Sequence, residues 1–298
     1  VAFTYGGNYL VAKGLMPDLI GPSGFIVLRV LGGGGLFWML RGVMKMRGNW
    51  ESVDRGDLGR LFLCGTTGVA ANQLLFFNGL NATSPVNASI IMTVNPILVL
   101  GISAALLGTS ITGRKLLGIA IGGAGAIALL LFSAQQDSLH ASWQGDLMVL
   151  INATSYGFYL VLVKPLMSKY RPLTVISWVF LFGAFWVVPI GAQQAMAVDW
   201  SLFNAGHWQG LLYVILGTTF MVYLLSIYAL GHVQPTVVSI YIYLQPLLAT
   251  GFSWWLAGKG GADYTSDLTW ITGCCAMAIF VGVWLVSRPA AGMRSQTA

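Results

Sequence analysis

The sequence predicts an all-α integral membrane protein with ten transmembrane helices in two inverted five-helix repeats, and three observations support this prediction. Hydrophobic residues make up 56% of the chain and charged residues 8%, whereas a soluble domain carries about a quarter charged residues. Apolar stretches of about 20 residues, the length that crosses a bilayer, recur along the chain. An internal repeat relates its two halves.

The repeat is clearest around two pairs of prolines with the same eleven-residue spacing: Pro85 and Pro96, and Pro235 and Pro246. An ungapped alignment of 74–101 with 224–251 gives nine identities in 28 positions. Unrelated apolar segments would give about two to four, so we interpret the pattern as an internal duplication. In a membrane protein, a duplicated half is typical of a transporter.

Each half is predicted to contain five helices. Those of the first repeat, 1–135, are expected at 1–16, 22–39, 58–78, 85–107 and 115–132. Those of the second repeat, 142–290, are expected at 145–167, 173–192, 208–230, 235–257 and 268–286, followed by a cytoplasmic tail, 291–298. Because the sequence begins inside an apolar stretch without a methionine, we expect the first helix to begin further upstream.

The distribution of lysine and arginine predicts the orientation. Twelve of them fall near one face of the predicted topology and two, Lys13 and Lys259, near the other. Cytoplasmic loops carry an excess of basic residues, so we expect both termini in the cytoplasm of a bacterial inner membrane. Since five is an odd number, the second half enters the membrane from the opposite side, and the repeat is predicted to be inverted.

At this point the chain resembles the drug/metabolite transporter superfamily, in its ten-helix branch of two EamA-type repeats. The matching features are the Leu-x4-Pro stretches that begin at Leu80 and Leu230, Arg29 in the second helix, and the glycine-rich run 118–125. Within the superfamily it is similar to bacterial exporters of aromatic amino acids. The resemblance implies that helices 1–4 and 6–9 surround a central cavity, with helices 5 and 10 at the periphery.

Polar side chains inside the predicted helices should mark the transport pathway, because polar groups facing lipid are costly. Asn87 and Asn95 lie on one face of the fourth helix, and Tyr241 and Gln245 are the corresponding candidates in the ninth. Asn95 and Gln245 directly precede a proline, which frees one backbone carbonyl. Alternatively, these amides only bond helix to helix and the four prolines only kink or hinge the helices.

Further candidate substrate-binding residues lie in three other helices. They are Asn72, Gln73 and Phe76 in the third, Trp178 in the seventh and Tyr223 in the eighth. Aromatic side chains stack on planar substrates or cations. They are equally expected as anchors at the membrane interface.

Arg29 and Lys13 are candidate carboxylate-binding cations near the outer mouth. A buried arginine is expensive in a membrane and usually meets backbone carbonyls or an anionic group. The alternative is a structural arginine and a lysine that reaches the interface along its aliphatic stem.

The nine acidic residues all lie in loops or at helix ends. Proton-coupled pumps commonly place a carboxylate within the membrane, so we expect facilitated, gradient-driven transport. No phosphate-binding loop, metal-ligand cluster or nucleophile–base pair occurs in the sequence, and we expect no enzymatic activity and no cofactor. The net charge of +6 is explained by basic loops rather than by binding of nucleic acid.

These observations together predict an exporter of small organic metabolites that works by alternating access, with amino acids, including aromatic ones, as its substrates by resemblance. Its partners would be the small-molecule substrate and the lipid bilayer, and the chain is of a size to act as a monomer, although its oligomeric state is left open. The alternatives are a multidrug or organic-cation exporter and, from a different class, a non-transporting accessory membrane protein.

Overall fold

The structure is a computed structural model that describes 2–108, 111–135, 142–232, 244–258 and 269–287. These residues form ten helices of at least 14 residues and one short 3₁₀ helix, Trp200–Leu202, and contain no strand. The first half contributes α1 (Ala2–Leu15), α2 (Pro22–Met46), α3 (55–82), α4 (Pro85–Leu107) and α5 (Gly113–Gln135). The second half contributes α6 (Trp143–Ser168), α7 (Pro172–Met196), α8 (Ala205–His232), α9 (Leu244–Ala257) and α10 (Trp270–Ser287). The predicted all-α class is confirmed.

Proline and serine residues set the starts of several helices. Proline occupies the first position of α2, α4 and α7, where its missing N–H costs no hydrogen bond. The hydroxyls of Ser84 and Ser142 accept backbone N–H groups from the first turns of α4 and α6, as expected of N-caps. The end of α2 was predicted at position 39, but the helix continues to Met46 because Arg41 is buried among tryptophan rings.

Three helices are irregular in their middle. A π-helical turn, Thr66–Ala71, interrupts α3, and a second, Tyr213–Met221, interrupts α8. The helix α4 breaks at Thr93 and Val94, where hydrogen bonds of the tighter i to i+3 type replace the α-helical ladder. Such interruptions leave backbone groups available and often occur at functional sites.

The antiparallel packing of equivalent helices shows that the two halves are inverted. The start of α2 lies against the end of α7, since a Cβ built on Gly24 would lie 2.8 Å from the Ala195 nitrogen. In α5 and α10, a Cβ built on Gly118 would lie 2.5 Å from the Gly282 carbonyl oxygen. The helices α2 and α7 both have 25 residues and begin 150 positions apart, at Pro22 and Pro172. Because equivalent helices run in opposite directions, the predicted inversion is confirmed.

The remaining contacts follow the same pseudo-twofold symmetry. The helix α1 packs against α9, and its counterpart α6 packs against α4. Gly6 of α1 lies against Leu248, and Gly157 of α6 lies against Val99. Each half therefore completes its packing with a helix from the other half.

Among the described residues, five helices are long and apolar enough to cross a membrane: α2, α4, α6, α7 and α8. Large apolar side chains such as Leu116, Trp254 and Trp284 are exposed on the outside of the bundle, as expected where lipid replaces water. We call the end at which α2 ends and α3 and α7 begin the basic end, because arginine and lysine residues collect there. The other end is called the opposite end.

Candidate functional site

The centre of the candidate site is a contact between α3 and α8. The Gln73 side-chain amide donates a hydrogen bond of 3.4 Å to the Tyr223 hydroxyl, and both side chains are buried. These two residues are 150 positions apart and are therefore repeat equivalents. In an inverted repeat, equivalent residues touch only at the pseudo-twofold axis. We call Gln73 and Tyr223 the axial pair.

A chain of amides extends from the axial pair to α6 and α4. The Tyr223 hydroxyl lies 3.3 Å from Asn72 Oδ1, and Asn72 Nδ2 donates to Asn152 Oδ1 at 2.6 Å. The Asn152 amide in turn donates to the Met92 sulfur at 3.1 Å. Beside it, Asn95 Nδ2 donates to the Ala153 carbonyl at 2.8 Å. The structure thus brings Asn72, Gln73, Asn95 and Tyr223 into one buried region.

Several buried polar atoms of α1, α3 and α4 have no hydrogen-bond partner among the described residues. They are the acceptors Gln73 Oε1 and Asn95 Oδ1 and the donor Asn8 Nδ2. Buried polar atoms are rarely left unpaired, since each costs about 1–3 kcal/mol. The arrangement can therefore accept two hydrogen bonds from a bound molecule and donate one.

Arg29 is buried within a group that we call the arginine cluster. Its Nε donates to the Thr219 hydroxyl at 2.9 Å and its Nη2 to the Thr218 hydroxyl at 3.4 Å. The guanidinium carbon lies 4.5 Å from the centre of the Phe77 ring. The Thr218 hydroxyl also lies 3.1 Å from Asn8 Oδ1. Both threonines belong to the π-helical turn of α8, so the irregular backbone presents the partners of the arginine.

Gln245 of α9 is joined to α3 through α1. The Tyr9 hydroxyl donates to Gln245 Oε1 at 2.8 Å, and the Tyr9 ring meets Phe76 edge-on with centroids 5.4 Å apart. Both Gln245 and Phe76 are buried. Two predicted residues from different halves therefore lie on either side of one tyrosine.

Asn87 lies at the opposite end and contacts an acid. Its Nδ2 donates to Asp146 Oδ2 at 3.3 Å, and the Thr83 hydroxyl donates to Asp146 Oδ1. Asp146 lies in the first turn of α6, as the sequence indicated, but its exposed fraction is 0%. The burial follows from close packing, since a Cβ built on Gly145 would lie 2.7 Å from the Ala82 backbone.

Lys13 and its repeat equivalent Lys164 bind backbone carbonyls. Lys13 Nζ donates to the carbonyl of Leu80 at 2.7 Å, and also to those of Asn81 and Thr83. Lys164 Nζ donates to the carbonyl of Leu230 at 2.6 Å. Leu80 and Leu230 are themselves repeat equivalents. Each lysine thus satisfies carbonyls at the end of α3 or α8, which a helix cannot satisfy internally.

The other predicted residues lie away from the axial pair or outside the described residues. Trp178 lies near the basic end, with its ring 5.5 Å from that of Trp38. Pro85 is the first residue of α4, and Pro96 follows the break in that helix. Pro246 is the third residue of α9. Tyr241 and Pro235 lie outside the described residues.

The sequence reasoning missed Thr218, Thr219 and Asn152. Two adjacent threonines in an otherwise apolar predicted helix were an available signal, because polar groups in a span seek partners. Asn152 carried the same signal, since it is an amide inside the predicted helix 145–167. Among the residues that the structure describes, no group of histidine, cysteine, aspartate and glutamate could hold a metal ion.

An all-α membrane protein with inverted five-helix halves and a buried polar region on their shared axis has the architecture of a transporter. The comparison of sequences agrees. The chain belongs to the EamA-like transporter family, which matches residues 1–131 and 143–288.

Individual relatives are distant. An uncharacterized transporter of Archaeoglobus fulgidus is 26% identical over 235 residues, which is 78% of this chain and 76% of that protein. A protein of Streptantibioticus cattleyicolor described as a probable terminal-alkyne amino-acid exporter is 27% identical over 134 residues, 45% of this chain and 44% of that protein. A solved crystal structure covering 97% of this chain and 99% of its own has a TM-score of 0.60 at 17% identity, which shows a shared fold.

Proposed function

We propose that this transporter exports small organic metabolites, in particular amino acids including aromatic ones, across a bacterial inner membrane by alternating access. The observation that carries the proposal is the axial pair, Gln73 and Tyr223, which joins the two inverted halves at a buried polar contact. A site on the pseudo-twofold axis is equally distant from both membrane faces, as alternating access requires. The basic end and both termini would lie in the cytoplasm.

An amino acid would match hydrogen-bonding groups of the axial region and of the arginine cluster. Its ammonium group would donate to Gln73 Oε1 and Asn95 Oδ1, which are buried acceptors. Its carboxylate would accept from Asn8 Nδ2 and from the guanidinium of Arg29. An aromatic side chain would lie along the rings of Phe76 and Phe77, whose centroids are 4.9 Å apart. The similarity to a described amino-acid exporter, although it covers 45% of the chain, points to the same substrate class.

An organic-cation exporter fits the same region less well. The ring of Phe77 is an obvious platform for a cation, but the positive guanidinium of Arg29 already lies 4.5 Å from its centre. A second positive charge there would be repelled at short range in a poorly screened environment.

Counterflow of labelled phenylalanine into liposomes containing the purified protein tests the proposal. We expect competition by amino acids and none by sugars or organic cations. Competition by organic cations alone would replace the proposal with a multidrug exporter. The absence of counterflow for every solute tested would favour an accessory protein.

Two conservative substitutions locate the site within that assay. Removing the axial hydroxyl in Tyr223→Phe should reduce phenylalanine counterflow about fivefold, in line with about 1 kcal/mol for one hydrogen bond. The matched control is Tyr228→Phe in the same helix, where the side chain is 57% exposed on the outside of the bundle. Equal effects of both substitutions would remove the axial pair from the site.

We further propose that transport follows the substrate gradient without coupling to protons. Asp146 is the described carboxylate with the greatest bearing on this point, because it is buried and bonded to Asn87. Flux in proteoliposomes should continue when the pH is equal on both sides, both in the native protein and in Asp146→Asn. Flux that required an imposed pH gradient would contradict the proposal and would point to Asp146 as the proton-binding group.

A further inference from the structure

A pocket of about 480 Å³ lies at the basic end, between the end of α2, the start of α7 and the second half of α8. Its apolar wall includes Met44, Leu173, Leu224 and Leu225. Leu225 and Tyr228, at its edge, are 47% and 57% exposed on the outer surface of α8. Large apolar side chains exposed on a membrane helix face lipid, so this pocket opens towards the acyl chains of the bilayer. We call it the lateral pocket.

A second, polar pocket of about 410 Å³ adjoins the lateral pocket and shares Asn49, Glu51 and Arg171 with it. The rest of its lining comes from the loop between α2 and α3, at residues 48, 50 and 52. Because the two pockets share these residues, an apolar part and a polar part lie side by side at the basic end. A ligand that filled both would have to be amphipathic.

Arg41 lines the lateral pocket. Its side chain is only 3% exposed, and its Nη2 donates to the Glu51 carbonyl at 2.7 Å. Its Nε and Nη1 are buried and have no acceptor among the described residues. A buried guanidinium with two unpaired nitrogens, Nε and Nη1, has the donors to bind an anionic oxygen pair.

Three tryptophan rings hold this guanidinium in place. The guanidinium carbon lies 4.4 Å from the centre of the Trp50 ring, 4.9 Å from that of Trp38 and 5.8 Å from that of Trp178. Rings on several sides fix its orientation and stabilise its charge. The lining of the two pockets carries two arginines and one glutamate, Arg41, Arg171 and Glu51, a net charge of +1. The Glu51 carboxylate is itself held by the Arg171 backbone N–H at 3.0 Å.

We propose that this site binds an anionic phospholipid of the leaflet at the basic end. The phosphate would lie against Arg41 and Arg171, and one acyl chain would enter the lateral pocket beside Leu224 and Leu225. Basic pockets between helices at the cytoplasmic surface are suited to such head groups. The inference does not depend on the proposed function, because it uses neither the axial pair nor the arginine cluster.

Native mass spectrometry of the purified full-length protein measures this binding directly. Phosphatidylglycerol and phosphatidylcholine of the same chain length are titrated separately, and their apparent affinities are compared. We expect phosphatidylglycerol to bind at least about tenfold more tightly, because both lipids carry the phosphate but the choline group of phosphatidylcholine adds a positive charge close to Arg41 and Arg171. Equal affinity for the two lipids would overturn the proposal.

Two pairs of substitutions separate the head-group contact from the chain contact. Arg41→Gln should lower the affinity for phosphatidylglycerol to that for phosphatidylcholine, whereas Arg47→Gln, an exposed arginine at the end of α2 outside the lining, should leave it unchanged. Leu225→Trp should fill the lateral pocket and weaken the binding of both lipids. Leu212→Trp, at a similarly exposed position of the same helix, should not. An unchanged affinity in either Arg41→Gln or Leu225→Trp contradicts the assigned contact.

Further arms of the titration distinguish the source of the anion. Glycerol 3-phosphate alone should not bind measurably, since it has no chain for the lateral pocket. Tight binding of glycerol 3-phosphate would make this a site for a soluble phosphate, and displacement of the lipid by phenylalanine would make it an entry site for substrate. If Arg41→Gln does not fold, Arg41→Lys keeps the charge without the planar donors and should bind phosphatidylglycerol more weakly than the native protein does.

Discussion

The arginine cluster and the group of repeat-equivalent positions elsewhere in the molecule differ in polarity. In repeat order, Asn8, Arg29 and Thr218 correspond to Tyr159, Val179 and Gly68. The first three form the arginine cluster. In the other half, Gly68 lies so close to the ring of Tyr159 that a Cβ built on the glycine would be 2.3 Å from Cδ2. We call this second group the tyrosine cluster.

The backbone around the two clusters has kept its symmetry. A Cβ built on Gly33 would lie 2.6 Å from Thr219, and one built on the equivalent Gly183 would lie 2.4 Å from Val69. Arg29 and Val179 are each seven residues from the first residue of their helix, which is about 10 Å from one end of the bundle. The clusters therefore lie at mirrored depths. We interpret the symmetric backbone as serving motion and the asymmetric side chains as serving recognition of a substrate that has a charged end.

The largest expected effect comes from adding a side chain to the tyrosine cluster. Gly68→Ala should lower the free energy of unfolding by about 3 kcal/mol, because the new methyl group overlaps the Tyr159 ring. The control is Gly59→Ala in the same helix, where no atom lies within 4 Å of the built Cβ. That change should stabilise the helix by about 0.5–1 kcal/mol. Unfolding of the purified protein in detergent measures both, and equal stabilities would show that the tyrosine cluster is loosely packed.

The next largest expected effect is on transport, and it tests the role of the arginine cluster. Arg29→Gln should reduce counterflow of phenylalanine by about tenfold or more, because a hydrogen bond to a charged group contributes about 1.5–3 kcal/mol. The matched variant is Arg29→Lys, which keeps the positive charge and should retain more of the counterflow. If Arg29→Lys and Arg29→Gln lost counterflow equally, the charge of Arg29 would not act on the substrate.

A smaller effect is expected from a single hydroxyl in the same cluster. Thr218→Val should lower the free energy of unfolding by about 1–2 kcal/mol, since Arg29 and Asn8 both lose a partner. The matched change is Thr67→Val in α3, whose hydroxyl bonds the Leu63 carbonyl of its own helix. It should be nearly neutral in thermal unfolding. A similar loss in both variants would mean that the hydroxyl contributes only to its own helix.

The smallest effect concerns the starts of α3 and α8, where Asp57 and His207 are equivalent. Hydrogen bonds from Tyr170 at 2.8 Å and Lys169 at 3.0 Å keep the pKa of Asp57 below its usual range. Because the folded-state pKa is lowered, this stabilisation is complete at neutral pH and is lost as the pH falls through that pKa. Asp57→Asn should therefore lower the melting temperature slightly at pH 7, and the difference from the native protein should disappear as the pH falls below that pKa. A difference that persisted in acid would exclude the carboxylate as its cause.

Much of the fold could be predicted from the sequence because its signals are local. The helices follow from apolar length, and their inversion follows from an odd helix count within a duplicated half. Prolines marked the starts of α2, α4 and α7. The pairing of Gln73 with Tyr223 was also available, since it lies one position before the aligned segments 74–101 and 224–251.

The features that could not be predicted arise between helices. The π-helical turns have no residue signature in α3 or α8, because they depend on packing against the neighbouring helices. The burial of Asp146 required the close approach of Gly145 to Ala82. Trp178 was proposed for the substrate site only because its side chain is aromatic. The structure places it beside Trp38, where an anchor at the membrane interface would also lie.

Lys13 and Lys164 make the same kind of contact in two halves that run in opposite directions. Their ammonium groups are occupied by carbonyls of equivalent helix ends, at Leu80 and Leu230. The same lysine therefore folds into place whichever side of the membrane its helix end reaches, and it carries no instruction about orientation. That instruction falls to the arginines and lysines of the connecting loops, which differ between the halves. Biogenesis of such a protein would separate two tasks, with loop charges deciding how each half threads and the buried lysines closing the helix ends afterwards.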